Sequence, residues 1–241
     1  MKSLSRNGGG EPYASDSPED RGSRRRRGVG PLAVAGAISG LPGASPRRGR
    51  RDDASIHDRD RRRAGGGLGV ATLRYQFPYM EKGAKRPDRP PVAHAAVRAA
   101  VAAARERANG LPLFAGGRSF GGRMTSQAQA LEPLPGVRGL VFFAFPLHPA
   151  GKPSVVRAEH LFSVAIPMLF LQGSKDAPAE LDLLQQTVAG LKGHATLELI
   201  AEADHAFHVP ARTGRKDPEV LAAALAATVR WMSVQSAKPP S

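Results

Sequence analysis

Three short stretches of this chain carry the residue types that acyl-transfer chemistry needs. Gly117-Arg118-Ser119-Phe120-Gly121 fits the pattern G-x-S-x-G, in which glycines allow a sharp strand-to-helix turn to push a serine hydroxyl above a sheet edge. The backbone N–H of Phe120, next in sequence, would then face an oxyanion developing on a carbonyl under attack. A serine becomes a nucleophile only beside a base, and the base needs a carboxylate to hold its tautomer. Asp176, in Gln172-Gly173-Ser174-Lys175-Asp176, and His205, in Ala203-Asp204-His205-Ala206-Phe207, follow in the order Ser, Asp, His. Each also has a purely structural reading: Ser119 and Asp176 as helix caps, His205 as a solvated loop residue. Asp204 is the weaker candidate for the acid, because neighbouring side chains diverge in an extended loop. His208 competes with His205 as the base. The His205/His208 pair has no third ligand at a metal-binding spacing, so no metal is expected, and the chemistry needs no cofactor.

These positions make sense only if three different elements deliver them to one edge. Val70 to Tyr79 reads as a strand, Val92 to Asn109 as a helix and Leu111 to Ala115 as a short buried strand. Gly116 to Gly122 is a glycine-rich turn, and Arg123 to Leu131 continues as a helix. Val137 to Phe145 and Ile166 to Gln172 are apolar runs of strand length, typical of parallel strands covered on both faces. Asp176 to Leu191 reads as a helix, Thr196 to Ile200 as a strand, and Pro218 to Val234 as a closing amphipathic helix. The expected fold is α/β, a mostly parallel sheet with helices on both faces, over residues 68–234, with a short C-terminal tail at 235–241. Ser119, Asp176 and His205 all fall past strand C-termini, the side of such a sheet where ligands bind. Trp231 is expected in the core.

Residues 1–67 read differently. The chain has 241 residues and 35 Lys+Arg against 21 Asp+Glu, a net charge of +14. Residues 1–67 hold 15 of the basic residues and 8 of the acidic ones, so +7 falls in little more than a quarter of the length. That segment has one aromatic residue, Tyr13, and is rich in Gly, Pro and Arg, a composition expected to remain disordered. The clusters Arg24–Arg27, Arg47–Arg51 and Arg59–Arg63 lack interleaved aromatics, so a solvated tail is favoured over nucleic-acid binding. The stretch after Ser23 to Arg27 is too rich in Gly and Pro for a twin-arginine export signal. Val29 to Leu41 falls short of the roughly 20 apolar residues of a membrane span. The expectation is a soluble, cytoplasmic protein with a small-molecule acyl substrate and no membrane partner. The absence of cysteine excludes disulfides, Cys-ligated zinc and a thiol nucleophile.

From Thr72 to Trp231 the chain resembles the dienelactone-hydrolase-like α/β-hydrolases, in particular the bacterial branch similar to the hydrolase-like domain of testis-expressed and NSL-complex regulatory proteins. The resemblance is carried by Arg74-Tyr75-Gln76-Phe77-Pro78-Tyr79-Met80, by Ala115 to Met124, by Phe145-Pro146-Leu147-His148-Pro149, by Phe170-Leu171-Gln172-Gly173 with Asp176, and by Asp204-His205 with Phe207-His208-Val209. It implies Ser119 as nucleophile, Asp176 as acid and His205 as base of a serine hydrolase acting on esters or thioesters. Arg118, His148 and His208 are candidates to border its pocket. Relatives carry a further strand and a His-Gly-x-Gly loop ahead of the Val70 strand, the loop giving a second oxyanion N–H. No such loop is legible in residues 1–67. Two explanations compete. Either half of the oxyanion site is lost, which would favour a non-enzymatic interaction module, or the segment comes from a shifted reading frame or wrong start. The second is favoured, because His57 and the glycines at 65–67 stand where relatives have a helix and a turn.

Overall fold

The structure, a computed structural model, describes residues 69–238 and the backbone of residues 32–37. Among the described residues six parallel strands form one sheet: β1 (Leu32–Ala37), β2 (Val70–Tyr75), β3 (Leu113–Arg118), β4 (Val137–Phe143), β5 (Met168–Gly173) and β6 (Ala195–Ile200), in the order β2-β1-β3-β4-β5-β6. The helices are α1 (Pro78–Glu81), α2 (Pro90–Arg107), α3 (Phe120–Leu131), α4 (Leu181–Gly190) and α5 (Asp217–Ser236). A 3-10 segment, Val156–Ser163, fills the gap between β4 and β5.

Side-chain alternation along the strands divides the core in two. Ala115, Phe142 and Phe170 point to the face covered by α2, α3 and α4, where they join Val97, Met124 and Leu184. Phe114, Val141, Leu169 and Leu171 point to the opposite face, against Val220, Trp231 and Met232 of α5. Trp231 lies in this core as expected, its ring edge-on to Phe114 and its indole N–H donating to Thr196 Oγ1 at 3.2 Å. Burial on both faces accounts for β5 being enclosed along its whole length.

Several boundaries differ from the sequence reading, each for a local reason. β2 stops at Tyr75 because Pro78 opens α1. β3 runs on through its glycines to Arg118: a Cβ at Gly116 would lie 2.0 Å from the Val141 carbonyl oxygen, so only glycine lets the strands pair there. The helix expected from Asp176 starts only at Leu181, after a turn in which Ala179 N–H donates to the Asp176 carbonyl.

One further difference lies within residues 1–67, expected to be largely disordered. Leu32–Ala37 is a strand in the interior of the sheet, paired with β2 on one side and β3 on the other. The three basic clusters, including the arginines of the export-signal reading, His57 and the glycines at 65–67 lie outside the described residues, as does all of 38–68. Among the described residues no helix is long and apolar enough to cross a membrane.

Candidate active site

The turn between β3 and α3 brings Ser119 to the C-terminal edge of the sheet. Ser119 has φ 50° and ψ −116°, a conformation that costs a non-glycine residue free energy and persists only where its surroundings enforce it. The enforcement is visible. Its N–H donates to the Phe143 carbonyl of the next strand at 2.9 Å, and its own carbonyl accepts from Arg123 N–H at 3.1 Å as α3 begins. α3 also presses back onto β3, since a Cβ on Gly122 would lie 2.8 Å from the Gly117 carbonyl oxygen. Phe120 is the first residue of α3, so its N–H belongs to the first turn, whose N–H groups have no intrahelical acceptor.

Asp176 stands on the loop leaving β5, its side chain fully enclosed. Gln172, the penultimate residue of that strand, fixes it: the amide Nε2 donates to Asp176 Oδ2, while Oε1 accepts from Phe145 N–H at 2.8 Å. His205 stands on the loop after β6. There the Asp204 carboxylate accepts from the N–H groups of Ala206 (2.7 Å) and His208 (2.9 Å), closing a tight loop with His205 near its tip. Phe207, at φ 62°, anchors the loop by packing edge-on against Phe143. Asp204 is thus occupied in building the loop.

The three side chains meet. His205 Nδ1 lies 2.9 Å from both Asp176 Oδ1 and Oδ2, and His205 Nε2 lies 2.9 Å from Ser119 Oγ. The consistent assignment has Nδ1–H donating to the carboxylate and Nε2 accepting the serine proton. The Arg118 guanidinium donates to the His205 carbonyl oxygen at 2.9 Å, linking the residue before the serine to the backbone of the histidine. Burial lowers the Arg118 pKa, against the opposing pull of the Asp176 and Asp204 carboxylates.

The remaining pocket candidates are placed otherwise. His148 is buried; its Nδ1 donates to the Pro149 carbonyl at 2.9 Å and its Nε2 accepts from Glu180 N–H at 3.3 Å. With both ring nitrogens committed to the backbone, it ties two loops together. His208 is exposed and bonded to Asp217 at 2.8 Å, and that carboxylate raises its pKa. A surface depression of about 360 Å³ is lined by Ser174 to Ala177 and Glu180 to Asp182, a lining that includes Asp176 but neither Ser119 nor His205.

Two features were missed in the sequence. Gln172 ends an apolar run and reads there as the strand's polar terminus. A second Ser–His contact, Ser126 Oγ to His160 Nε2 at 2.7 Å, joins α3 to the 3-10 segment. It does not duplicate the first: Ser126 is fully buried, and its hydroxyl donates to the Arg123 carbonyl at 2.9 Å, so it accepts from His160.

Solved structures share the architecture. A lidless serine hydrolase from Xanthomonas campestris aligns with a TM-score of 0.55 at 21% identity, covering 82% of this chain and 81% of that one. A monoacylglycerol lipase from Paleococcus ferrophilus aligns with a TM-score of 0.57 at 15% identity, covering 86% and 97%. The Est1E protein of Butyrivibrio proteoclasticus, in a structure with ferulic acid bound, aligns with a TM-score of 0.57 at 16% identity, covering 89% and 93%. At such identities the likeness is one of fold. The sequence itself matches the family described as alpha/beta hydrolase domain over residues 60–233, from ahead of β2 to within α5, and the chain belongs to that family.

Proposed function

We propose that the protein is a serine hydrolase that cleaves an ester or thioester through an acyl-enzyme. The observation that carries this reading is the position of His205, within hydrogen-bond reach of Ser119 on one ring nitrogen and of Asp176 on the other. In the proposed reaction Ser119 Oγ attacks the carbonyl carbon while His205 Nε2 takes the hydroxyl proton. The negative charge passing to the carbonyl oxygen is met by the Phe120 N–H at the start of α3. Collapse of the tetrahedral intermediate breaks the bond to the leaving alcohol or thiol, which receives the proton from His205. Water, deprotonated by the same imidazole, then attacks the acyl-serine; the acid departs and Ser119 recovers its proton. Asp176 keeps Nδ1 protonated throughout and stabilises the imidazolium.

The motifs named above support placement in the dienelactone-hydrolase-like group, and no cofactor enters the scheme. A cytoplasmic location remains part of the proposal. The test is labelling by a fluorophosphonate probe, read against Ser119→Ala. Labelling of the wild type that disappears in the variant supports the hydrolase. Absence of labelling in both supports the rival reading, a hydrolase fold serving as an interaction module.

A further inference from the structure

One turn beyond Ser119 on α3, cationic side chains gather without acidic partners. Arg123 follows the serine by four residues, or about 6 Å along the helix axis. Its guanidinium stands over the Phe120 ring, 5.9 Å from the centroid, and its Nε is buried with no hydrogen-bond partner. The 3-10 segment Val156–Ser163 packs on α3; it bonds Ser126 through His160 and carries Arg157, whose positive charge acts on Arg123. His160 is fixed through Ser126, and His94 of α2 is bonded to Gln127 of α3 at 3.2 Å. Among the described residues no carboxylate forms an ion pair with Arg123 or Arg157. Glu159, on the same segment, is exposed.

Such an arrangement is unfavourable for the protein alone. A half-buried guanidinium with an unpartnered nitrogen gives up hydration without recovering it, and a second guanidinium nearby adds repulsion. Burial and Arg157 together depress the Arg123 pKa, which expresses the same cost. Local rules broken beside a candidate nucleophile point to a missing counter-charge supplied by a ligand.

We propose that Arg123 and Arg157 form an oxyanion-binding subsite for an acidic group on the substrate, so that the preferred ester or thioester carries a carboxylate or phosphate a short chain away from its reacting carbonyl. This rests on the hydrolase reading for its substrate and on the cation pair alone for its binding. Two planar guanidinium groups suit bidentate pairing with either oxyanion. The Phe120 ring, under the Arg123 guanidinium and next in sequence to the serine, supplies an apolar wall of the subsite.

Two measurements test it on the full chain. The first is thermal unfolding with sodium glutarate or inorganic phosphate against sodium chloride at equal ionic strength. A saturable rise in Tm is expected for the wild type, lost in Arg123→Gln and Arg157→Gln and partly kept in Arg123→Lys; whichever anion gives the larger rise identifies carboxylate or phosphate. The second is kcat/KM for the p-nitrophenyl monoester of glutaric acid relative to p-nitrophenyl valerate. The wild-type ratio is expected to exceed about ten and to fall toward one in either glutamine variant, through KM. No saturable rise, or a rise unchanged in both glutamine variants, overturns the subsite, as does a ratio the variants leave intact. Glutarate binding that depends on Arg123 and Arg157 but comes without turnover of either ester overturns the hydrolase reading and leaves the subsite standing.

Discussion

Arg118 and His205 are 87 residues apart in sequence, and the guanidinium of one holds the main-chain carbonyl of the other at 2.9 Å. The serine turn and the histidine loop leave different strands, and this bond sets the distance between them from the backbone side. The side-chain contact between His205 and Ser119 therefore has a second support that does not pass through Asp176.

Arg118→Met removes that support while keeping much of the side-chain volume. A misplacement of about 1 Å can cost on the order of a hundredfold in rate. We expect kcat to fall by about ten- to a hundredfold with KM nearly unchanged, and Arg118→Lys, which still offers a donor, to recover part of it. Ester kinetics on the three proteins check this. A raised KM with intact kcat would show Arg118 binding substrate instead.

Asp176→Asn leaves the shape of the site but replaces the acceptor that keeps His205 Nδ1 protonated. Stabilised in the wrong tautomer, the imidazole no longer offers Nε2 as a base. A fall in kcat of about 10⁴ is expected, with KM near the wild-type value and a matching loss in the rate of fluorophosphonate labelling.

Gln172→Leu acts on stability as well as on activity. It removes a donor from an enclosed carboxylate and leaves the Phe145 N–H without its acceptor. Each buried group stranded in this way costs about 1 to 3 kcal/mol. Urea denaturation should show a lower midpoint at an unchanged slope.

Acid should weaken the fold through His160. Burial, Arg123 and His94, in that order, push its pKa from 6.5 down to about 4. Between those values the unfolded chain takes up a proton that the folded imidazole refuses, so stability falls as pH drops from 6.5 toward 4. His160→Gln removes that proton and should flatten the fall over this window, read as Tm against pH for the two proteins.

The alternation of elements and the loops bearing Ser119, Asp176 and His205 were readable because each depends on local pattern: an apolar run, a turn, and a polar residue just past a strand end. The strand Leu32–Ala37 was not readable. It is made of one Leu, one Val, one Gly and three Ala amid Pro- and Arg-rich sequence, and only its pairing with β2 and β3, both far along the chain, makes it a strand. Arg118 showed its type and neighbourhood in the sequence but not its target, since the accepting group is a backbone carbonyl that every residue possesses. The partners of His148 were hidden for the same reason: a histidine beside prolines does not reveal that Pro149 and Glu180 occupy both its nitrogens.

The interior place of Leu32–Ala37 bears on how the protein can be shortened. An expression start at residue 60, where the family match begins, would leave β2 and β3 facing an empty slot the width of one strand. Main-chain donors and acceptors along both rims of that slot would lie open, a template for any extended peptide, including a second molecule. Such a fragment should precipitate or pair with itself, whereas supplying the hexapeptide segment in trans could restore it as a clean split system.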